Sequence, residues 1–125
     1  METLYFTPDH EWLRVAGDVV TVGITEHAQD ALGDIVFVQL PNVGQHFSAG
    51  SEAAVLESVK AAGAINLPVA GTVVEVNSVV VSDPSSANRD PMGDGWFLRF
   101  RPDNAADLSA LLDHDAYQRL LAAGA

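Results

Sequence analysis

Short apolar runs separated by turn residues dominate this chain. β-Branched and aromatic residues are concentrated in segments of six or seven residues, and Gly, Pro, Asn and Asp lie between them. This pattern is typical of β-strands joined by tight turns. The predicted strands cover residues 10–15, 19–24, 35–40, 53–59, 63–69, 72–77 and 96–101, and a short apolar run at 79–81 follows the sixth of them.

A few segments have helical rather than strand signals. Thr25 can cap a helix over residues 26–32 that ends at Gly33. Leucines at helical spacing predict a helix over 105–112, and a second short helix is predicted over 116–122. Residues 82–95 are rich in Gly, Pro and Asp and predict a surface loop. The expected fold is mainly β, a β-sandwich or flattened barrel with a short helix near 25–32 and C-terminal helices.

The length and composition indicate one domain. A chain of 125 residues with 48% apolar residues suits a single core, and we expect one domain over 1–125, with its core at about 18–101 and a helical segment at about 104–123. No apolar run approaches the roughly 18 residues that span a bilayer. The acidic start, Met1–Tyr5, lacks the features of a signal peptide. We therefore expect a cytoplasmic monomer without membrane contact.

Charge and residue usage exclude several function classes. The net charge of −11 argues against nucleic-acid binding, which requires the opposite sign. Cysteine is absent, so disulfides and thiol catalysis are excluded. The four histidines lack the spacing of metal ligands, and we expect no metal site. Ser58 has no histidine nearby in the sequence, which argues against nucleophilic catalysis.

Lys60 is the only lysine in the chain, because the other five basic residues are arginines. It lies between the predicted strands 53–59 and 63–69 and therefore at the tip of a hairpin. Catalytic lysines need burial to lower their pKa, so an exposed lysine at a tip is a poor catalyst. Its amine is instead suited to accept an activated acyl group, and the resulting amide would turn the tip into a tethered arm. The alternative is an unmodified surface lysine on a binding module.

Two other features near the predicted strands are weaker indications of a functional site than Lys60. The turn Val59-Lys60-Ala61 lacks the Asn-Gly or Asp-Gly that tight hairpin turns prefer. Glu11 lies between His10 and Trp12, where it could be a pocket carboxylate. From the residues alone, we expect it to be a solvated strand residue.

Several short segments, in order along nearly the whole chain, match the pattern of one family. They are His10-Glu11-Trp12, residues 22–29, 32–38 and 40–41, Glu57-Ser58-Val59-Lys60-Ala61-Ala62, and residues 68–71, 74–77, 90–91 and 95–96. In these segments the chain resembles the H-protein family of the glycine cleavage system.

The resemblance implies a lipoyl-domain-like fold and a covalent lipoate on Lys60. It also implies that the lipoate-attaching enzyme recognises the residues around this lysine, namely Glu57, Ser58, Val59 and Ala61. His10, Glu11 and the residue at position 64 would line the cleft that shelters the arm. The protein would be a carrier that catalyses nothing itself, since the chemistry belongs to the cofactor and the partner enzymes.

The partners implied by the resemblance are enzymes of one cycle. Glycine decarboxylase would load an aminomethyl group onto the lipoyl arm, aminomethyltransferase would remove it, and dihydrolipoyl dehydrogenase would reoxidise the arm. A lipoate ligase, or an octanoyltransferase with lipoyl synthase, would attach the cofactor.

Position 64 departs from the family pattern. Family members usually carry Ser-Asp at the third and fourth positions after the lysine, whereas this chain has Gly63 and Ala64. A carboxylate at position 64 would pair with the cationic aminomethyl group, and this chain lacks it. A second hypothesis is therefore a lipoyl carrier for another pathway, such as sulfur oxidation or lipoate relay. Biotin is disfavoured, because biotin carriers flank their lysine with Met and this chain has Val59 and Ala61.

Overall fold

Two antiparallel β-sheets face each other in the computed structural model, which describes residues 2–124. The larger sheet has the strand order β1-β2-β3-β9-β8-β5, and the smaller has the order β4-β6-β7. The strands are β1 (Glu2–Phe6), β2 (Glu11–Ala16), β3 (Val19–Ile24), β4 (Ile35–Gln39), β5 (His46–Phe47), β6 (Glu52–Ser58), β7 (Ala62–Asn66), β8 (Gly71–Val76) and β9 (Leu98–Pro102).

Short helices cover the edges and ends of the two sheets. They are α1 (Glu26–Leu32), α2 (Ser78–Ser82), α3 (Ser86–Arg89) and α4 (His114–Ala122), with a 3-10 helix at Ala105–Ala110. No helix within residues 2–124 is long and apolar enough to cross a membrane.

The main core lies between the sheets. Val22 and Phe100 of the larger sheet belong to the same buried cluster as Leu56 and Ile65 of the smaller sheet, and each is at most 1% exposed. Val20 and Val22 of β3, and Leu98 and Phe100 of β9, are alternate residues that belong to this cluster, as the period of two along a strand predicts. Burial of each such side chain contributes roughly 1.5–3 kcal/mol, so the mutual packing of the sheets holds the fold together. The β-sandwich expected from the sequence is confirmed.

A second buried cluster attaches the C-terminal helix to the sandwich. It is formed by Phe6, Trp12 and Tyr117, all at most 3% exposed. The rings of Phe6 and Tyr117 are stacked, with centroids 4.5 Å apart. The indole N–H of Trp12 donates to the carbonyl of Pro91 at 2.8 Å, which satisfies its only polar group. Helix α4 is therefore fixed against strands β1 and β2.

Helix α1 and its two ends are confirmed. The hydroxyl of Thr25 accepts a hydrogen bond from Ala28 N at 3.2 Å, as an N-cap does. Gly33 ends the helix at φ 75°, and its N–H donates to the carbonyl of Gln29. This φ lies in the left-handed region that favours glycine.

The prediction of a surface loop over residues 82–95 is wrong in part. The segment contains helix α3, and Ser86, Ala87, Pro91 and Gly95 within it are buried. The polar composition of the segment does not indicate these buried contacts. Helix α3 is also only four residues long, which is too short to give a periodic pattern of apolar residues.

Other segments also differ from the sequence-based expectation: strand β5 was not predicted, and the strand predicted over 63–69 ends at Asn66. The apolar run at 79–81 forms helix α2, capped by Asn77. Residues 105–110 form a 3-10 helix rather than an α-helix over 105–112. Strand β1 was not predicted, and it pairs with β2 from Glu2↔Ala16 to Phe6↔Trp12.

Candidate functional site

Lys60 lies in the turn between β6 and β7, as the sequence predicts. The last ladder pair before the turn is Glu57↔Ala62, and Lys60 is exposed. Val59 beside it is 67% exposed although it is apolar. Among residues 2–124, no ion pair includes the Lys60 ammonium. The amine is therefore accessible from solvent.

Ser58 shapes this turn with its side chain. Its hydroxyl accepts from Lys60 N at 3.2 Å and from Ala61 N at 3.0 Å, and it donates to the carbonyl of Ala61 at 2.9 Å. The backbone N–H of Ser58 donates to the same carbonyl at 2.7 Å. A serine that bonds the backbone ahead of it can replace the turn residues that tight hairpins prefer. This explains why the turn needs no Asn-Gly.

The aliphatic part of Lys60 packs over the end of helix α1. A Cβ built on Gly33 would lie 3.2 Å from Lys60 Cε and 3.6 Å from Nζ, so the lysine side chain packs closely against Gly33. On the same side, the N–H of Val59 donates to the carbonyl of Asp34 at 3.0 Å. The lysine turn thus rests on residues Gly33 and Asp34.

A cavity of about 220 Å³ lies beside this turn, between α1 and strands β2, β3, β6 and β7. Four of its lining residues have titratable side chains and the others are apolar or small. The lining comprises Asp9, His10, Glu11, Ile24, His27, Ala28, Ala31, Leu32, Leu56, Gly63 and Ala64. Leu32 directly precedes Gly33, and Gly63 is three residues after Lys60, so the cavity lies near the lysine turn.

Glu11 is a buried carboxylate in the wall of this cavity. It is 2% exposed, so the expectation of a solvated residue is wrong. Asn66 N donates to Oε2 at 2.9 Å, and the Thr7 hydroxyl donates to Oε1 at 3.2 Å. Burial raises the pKa of Glu11 to about 7, the negative charge of Asp9 adds to this, and the two hydrogen bonds partly oppose it. Glu11 can therefore change its charge near neutral pH.

His10 is held in an unusual conformation next to Glu11. Its φ is 66°, which is uncommon for a residue with a side chain. The backbone is fixed there, since His10 N donates to Thr7 O and Thr25 N donates to His10 O, both at 3.0 Å. Its ring is stacked on His27, with centroids 4.2 Å apart.

A hydrogen-bonded chain links His10 to the C-terminal helix. The hydroxyl of Tyr117 lies 2.8 Å from His10 Nδ1 and 2.8 Å from Thr25 Oγ1. Burial, and then the neighbouring His27, lower the pKa of His10, while Asp9 acts in the opposite direction. A lowered pKa favours the neutral imidazole at physiological pH.

The structure brings the residues singled out from the sequence into two adjoining places. Glu57, Ser58, Val59 and Ala61 surround Lys60 in the hairpin, and His10, Glu11 and Ala64 line the cavity beside it. Ala64 contributes no charge, so the second carboxylate at the cavity is the exposed Asp9.

Sequence reasoning missed several residues around the cavity. His27 and Ala31 are four positions apart on α1, and so are Ala28 and Leu32, which is the spacing of a helical face. That spacing was a signal that could have found them. No local signal pointed to Tyr117, which is 107 positions from His10.

Comparisons with known proteins identify the family of the chain. A family model described as glycine cleavage H-protein matches residues 4–123. The chain is 57% identical over 124 residues to glycine cleavage system H protein 1 of Pseudomonas putida, covering 98% of this chain and 97% of that protein. It is 50% identical over 115 residues to the glycine cleavage system H protein of Acinetobacter baylyi, covering 92% and 93% of the two chains.

A solved structure has the same fold. The crystal structure of a glycine cleavage system H protein from Mycobacterium marinum superposes with a TM-score of 0.88 at 39% identity, covering 96% of this chain and 97% of that chain. The match extends over both sheets and the C-terminal helix because it spans nearly the entire chain. The chain therefore belongs to the glycine cleavage H-protein family.

Proposed function

We propose that this protein is the lipoyl carrier of a glycine cleavage system and that Lys60 bears the lipoyl arm. The observation that carries the proposal is the position of the chain's only lysine, exposed at a fixed hairpin tip beside a cavity with a buried carboxylate. The family to which the chain belongs supports the carrier role.

The environment of Lys60 suits an acceptor rather than a catalyst. Its amine is exposed, whereas lysines that act as bases or form Schiff bases are buried. In the attachment step, the Nζ lone pair forms a C–N bond with the carbonyl carbon of an activated acyl donor. The activating group leaves with its bonding electrons, and Nζ loses a proton. Glu57, Ser58, Val59 and Ala61 are the residues that an attaching enzyme would meet around the amine.

The cavity suits the arm and its cargo. Its lining is apolar along Ile24, Leu32 and Leu56, which fits methylene and sulfur groups. Once attached to Lys60, lipoate would supply a disulfide whose S–S bond breaks when one sulfur binds the aminomethyl carbon and the other becomes a thiol. Glu11 would hold the cationic end of that cargo through a charge-assisted hydrogen bond, and His10 and His27 form the wall next to it.

The charge of the chain suits its work as a shuttle. A net charge of −11 steers an acidic protein towards basic surfaces on its partners. We propose glycine decarboxylase as the enzyme that loads the arm and aminomethyltransferase as the enzyme that unloads it. Dihydrolipoyl dehydrogenase would reoxidise the arm, and a lipoate ligase or an octanoyltransferase with lipoyl synthase would attach it. The relatives named above are glycine cleavage proteins, which supports this cargo over sulfur oxidation or lipoate relay.

The attachment is tested by intact mass after incubation with a lipoate ligase, ATP and lipoate. We expect one lipoyl adduct on the wild-type chain and none on Lys60→Arg, which keeps the charge but removes the nucleophilic amine. A wild-type chain that stays unmodified under conditions that modify a known acceptor would refute the carrier role.

The cargo is tested separately by glycine–bicarbonate exchange with a glycine decarboxylase. The lipoylated wild-type protein should support the exchange, and the unmodified protein is the control. Lipoylated protein that fails in the exchange while it remains a substrate of dihydrolipoyl dehydrogenase would assign the arm to another pathway.

A further inference from the structure

The side chain of Asn88 is hydrogen-bonded to the segment on which the lysine turn rests. Its Nδ2 donates to the carbonyl of Gly33 at 2.8 Å and to Gln29 Oε1 at 3.1 Å, and its Oδ1 accepts from Ile35 N at 2.8 Å. One amide thus joins the last turn of α1, the C-cap glycine and the first residue of β4.

Asn88 is itself rigidly placed. It belongs to α3, whose residues Ser86 and Ala87 are buried against the core. Arg89, the next residue, bonds to Ser85 Oγ at 2.9 Å and to Asp83 Oδ2 at 2.7 Å. The anchor for residues 29–35 is therefore continuous with the core rather than part of a free loop.

The opposite side of the same segment supports Lys60. The carbonyl of Asp34 accepts from Val59 N at 3.0 Å, which extends the β4–β6 pairing from Ile35↔Ser58 towards the lysine. Gly33 has no side chain, and the side chain of Lys60 packs closely against it. Residues Gly33 and Asp34 are thus held between Asn88 on one side and the lysine turn on the other.

From this arrangement we infer that Asn88 is a positioning residue for Lys60, acting through Gly33 and Asp34. This inference rests on the proposed role of Lys60 as the acyl acceptor. Acyl transfer requires the amine to be held about 3–3.5 Å from the acyl carbon in a defined direction. Ser58 fixes the turn internally, and Asn88 fixes where that turn stands relative to the sandwich.

The kinetic test compares lipoylation of the wild type, Asn88→Ala and Asn88→Asp by a lipoate ligase. The Ala variant loses all three hydrogen bonds, and the Asp variant keeps the acceptor for Ile35 N but loses both donors. For Asn88→Ala we expect kcat to fall about tenfold, less than the roughly hundredfold that a 1 Å misplacement can cost. KM for the carrier should change little, because Asn88 is half-buried and bonded inwards.

Asn77→Ala is the matched control. Asn77 Nδ2 donates to the carbonyls of Asp94 at 2.9 Å and Trp96 at 2.7 Å, and its Oδ1 accepts from Val79 N at 3.2 Å. Asn77→Ala therefore removes three side-chain hydrogen bonds, as Asn88→Ala does, but none of them involves residues 29–35. A similar fall in kcat for Asn77→Ala and Asn88→Ala would assign the effect to general destabilisation and overturn the inference.

Amide hydrogen exchange tests the positioning on the unmodified protein. In Asn88→Ala, the amides of Ile35 and Val59 should lose protection while core amides such as that of Leu56 keep theirs. If Asn88→Ala does not fold, Asn88→Asp gives the same comparison. Wild-type kcat together with unchanged protection at Val59 would overturn the inference. Absence of lipoylation in the wild type would instead refute the proposed function. The amide hydrogen exchange result would still decide whether Asn88 positions the lysine turn.

Discussion

The backbone N–H of Asn66 donates a 2.9 Å hydrogen bond to Oε2 of Glu11, so a buried carboxylate of the larger sheet is fixed against a strand of the smaller one. The charged form of this carboxylate is disfavoured by burial, and its pKa is raised to about 7 from an ordinary value of 4.5. The Glu11–Asn66 contact between the two sheets is therefore sensitive to pH.

This relationship predicts a stability that falls as the pH rises. A group with a raised pKa in the folded state binds its proton more tightly there, so its contribution is fully present below pH 4.5 and is lost as the pH approaches about 7. Urea unfolding at pH 4.5, 5.5 and 7.5 should show the wild type losing about 1–3 kcal/mol relative to Glu11→Gln over this range. Glutamine keeps the shape but does not titrate. Parallel curves for the two proteins would contradict the raised pKa.

Ala64→Asp should strengthen retention of a cationic cargo. The substitution places a second carboxylate in the cavity wall beside Glu11, in addition to Asp9 at the cavity. We expect the lipoylated, aminomethyl-loaded protein to keep its cargo about threefold to tenfold longer, since a partly exposed charge pair contributes about 1 kcal/mol. The measurement is the release of the aminomethyl group over time.

Ala49→Asp serves as the control for that experiment. Position 49 is exposed and precedes β6, whereas the lysine turn follows β6, so the charge change is the same but lies away from the cavity. Asp9→Asn should act in the opposite direction to Ala64→Asp. Equal retention in Ala64→Asp and Ala49→Asp would show that the cavity does not hold the cargo by charge.

Ser58→Ala should slow lipoylation by loosening the turn. The variant removes the hydroxyl that bonds to Lys60 N, Ala61 N and the Ala61 carbonyl, at a cost of about 1 kcal/mol in an exposed turn. Ser58→Asn should recover part of the rate, because an asparagine side chain supports the same kind of turn. Lipoylation is followed by intact mass over time.

Ser109→Ala is the control for the turn variant. Ser109 is also exposed, and its hydroxyl donates to Ala106 O at 2.8 Å in a different part of the chain. It should be lipoylated like the wild type. Equal rates for Ser58→Ala and the wild type would mean that the Ser58 hydroxyl is unimportant for acceptance.

Tyr117→Phe should loosen the attachment of α4 to the cavity wall. The change removes the hydroxyl shared by His10 Nδ1 and Thr25 Oγ1 but keeps the ring stacked on Phe6. We expect the free energy of unfolding to fall by about 1–2 kcal/mol, since buried polar atoms lose their partner. Thermal unfolding measures this, and Tyr5→Phe is the control, because no side-chain hydrogen bond of Tyr5 is found among residues 2–124. Equal stability of Tyr117→Phe and the wild type would contradict the proposed link.

Local signals explain which parts of the fold could be predicted. Runs of β-branched and aromatic residues between turn residues predicted seven of the strands in residues 2–124, and Thr25 with Gly33 predicted the two ends of α1, because capping depends on neighbouring residues. The position of Lys60 at a hairpin tip followed from the two strands around it. Helix α3 was missed, since its burial depends on contacts that its polar sequence does not reveal.

The amino-acid sequence by itself was enough to identify the single lysine, the strands on either side of it and the family motif around it. These depend on residue identity and on spacing within a few positions. Only the tertiary structure decided the pKa of Glu11 and the contacts that surround Lys60. The raised pKa of Glu11 requires burial between two sheets, and the carbonyl of Gly33, the residue under Lys60, accepts a hydrogen bond from Asn88, which is 55 positions away. Desolvation and long-range hydrogen bonds arise only when distant segments pack together.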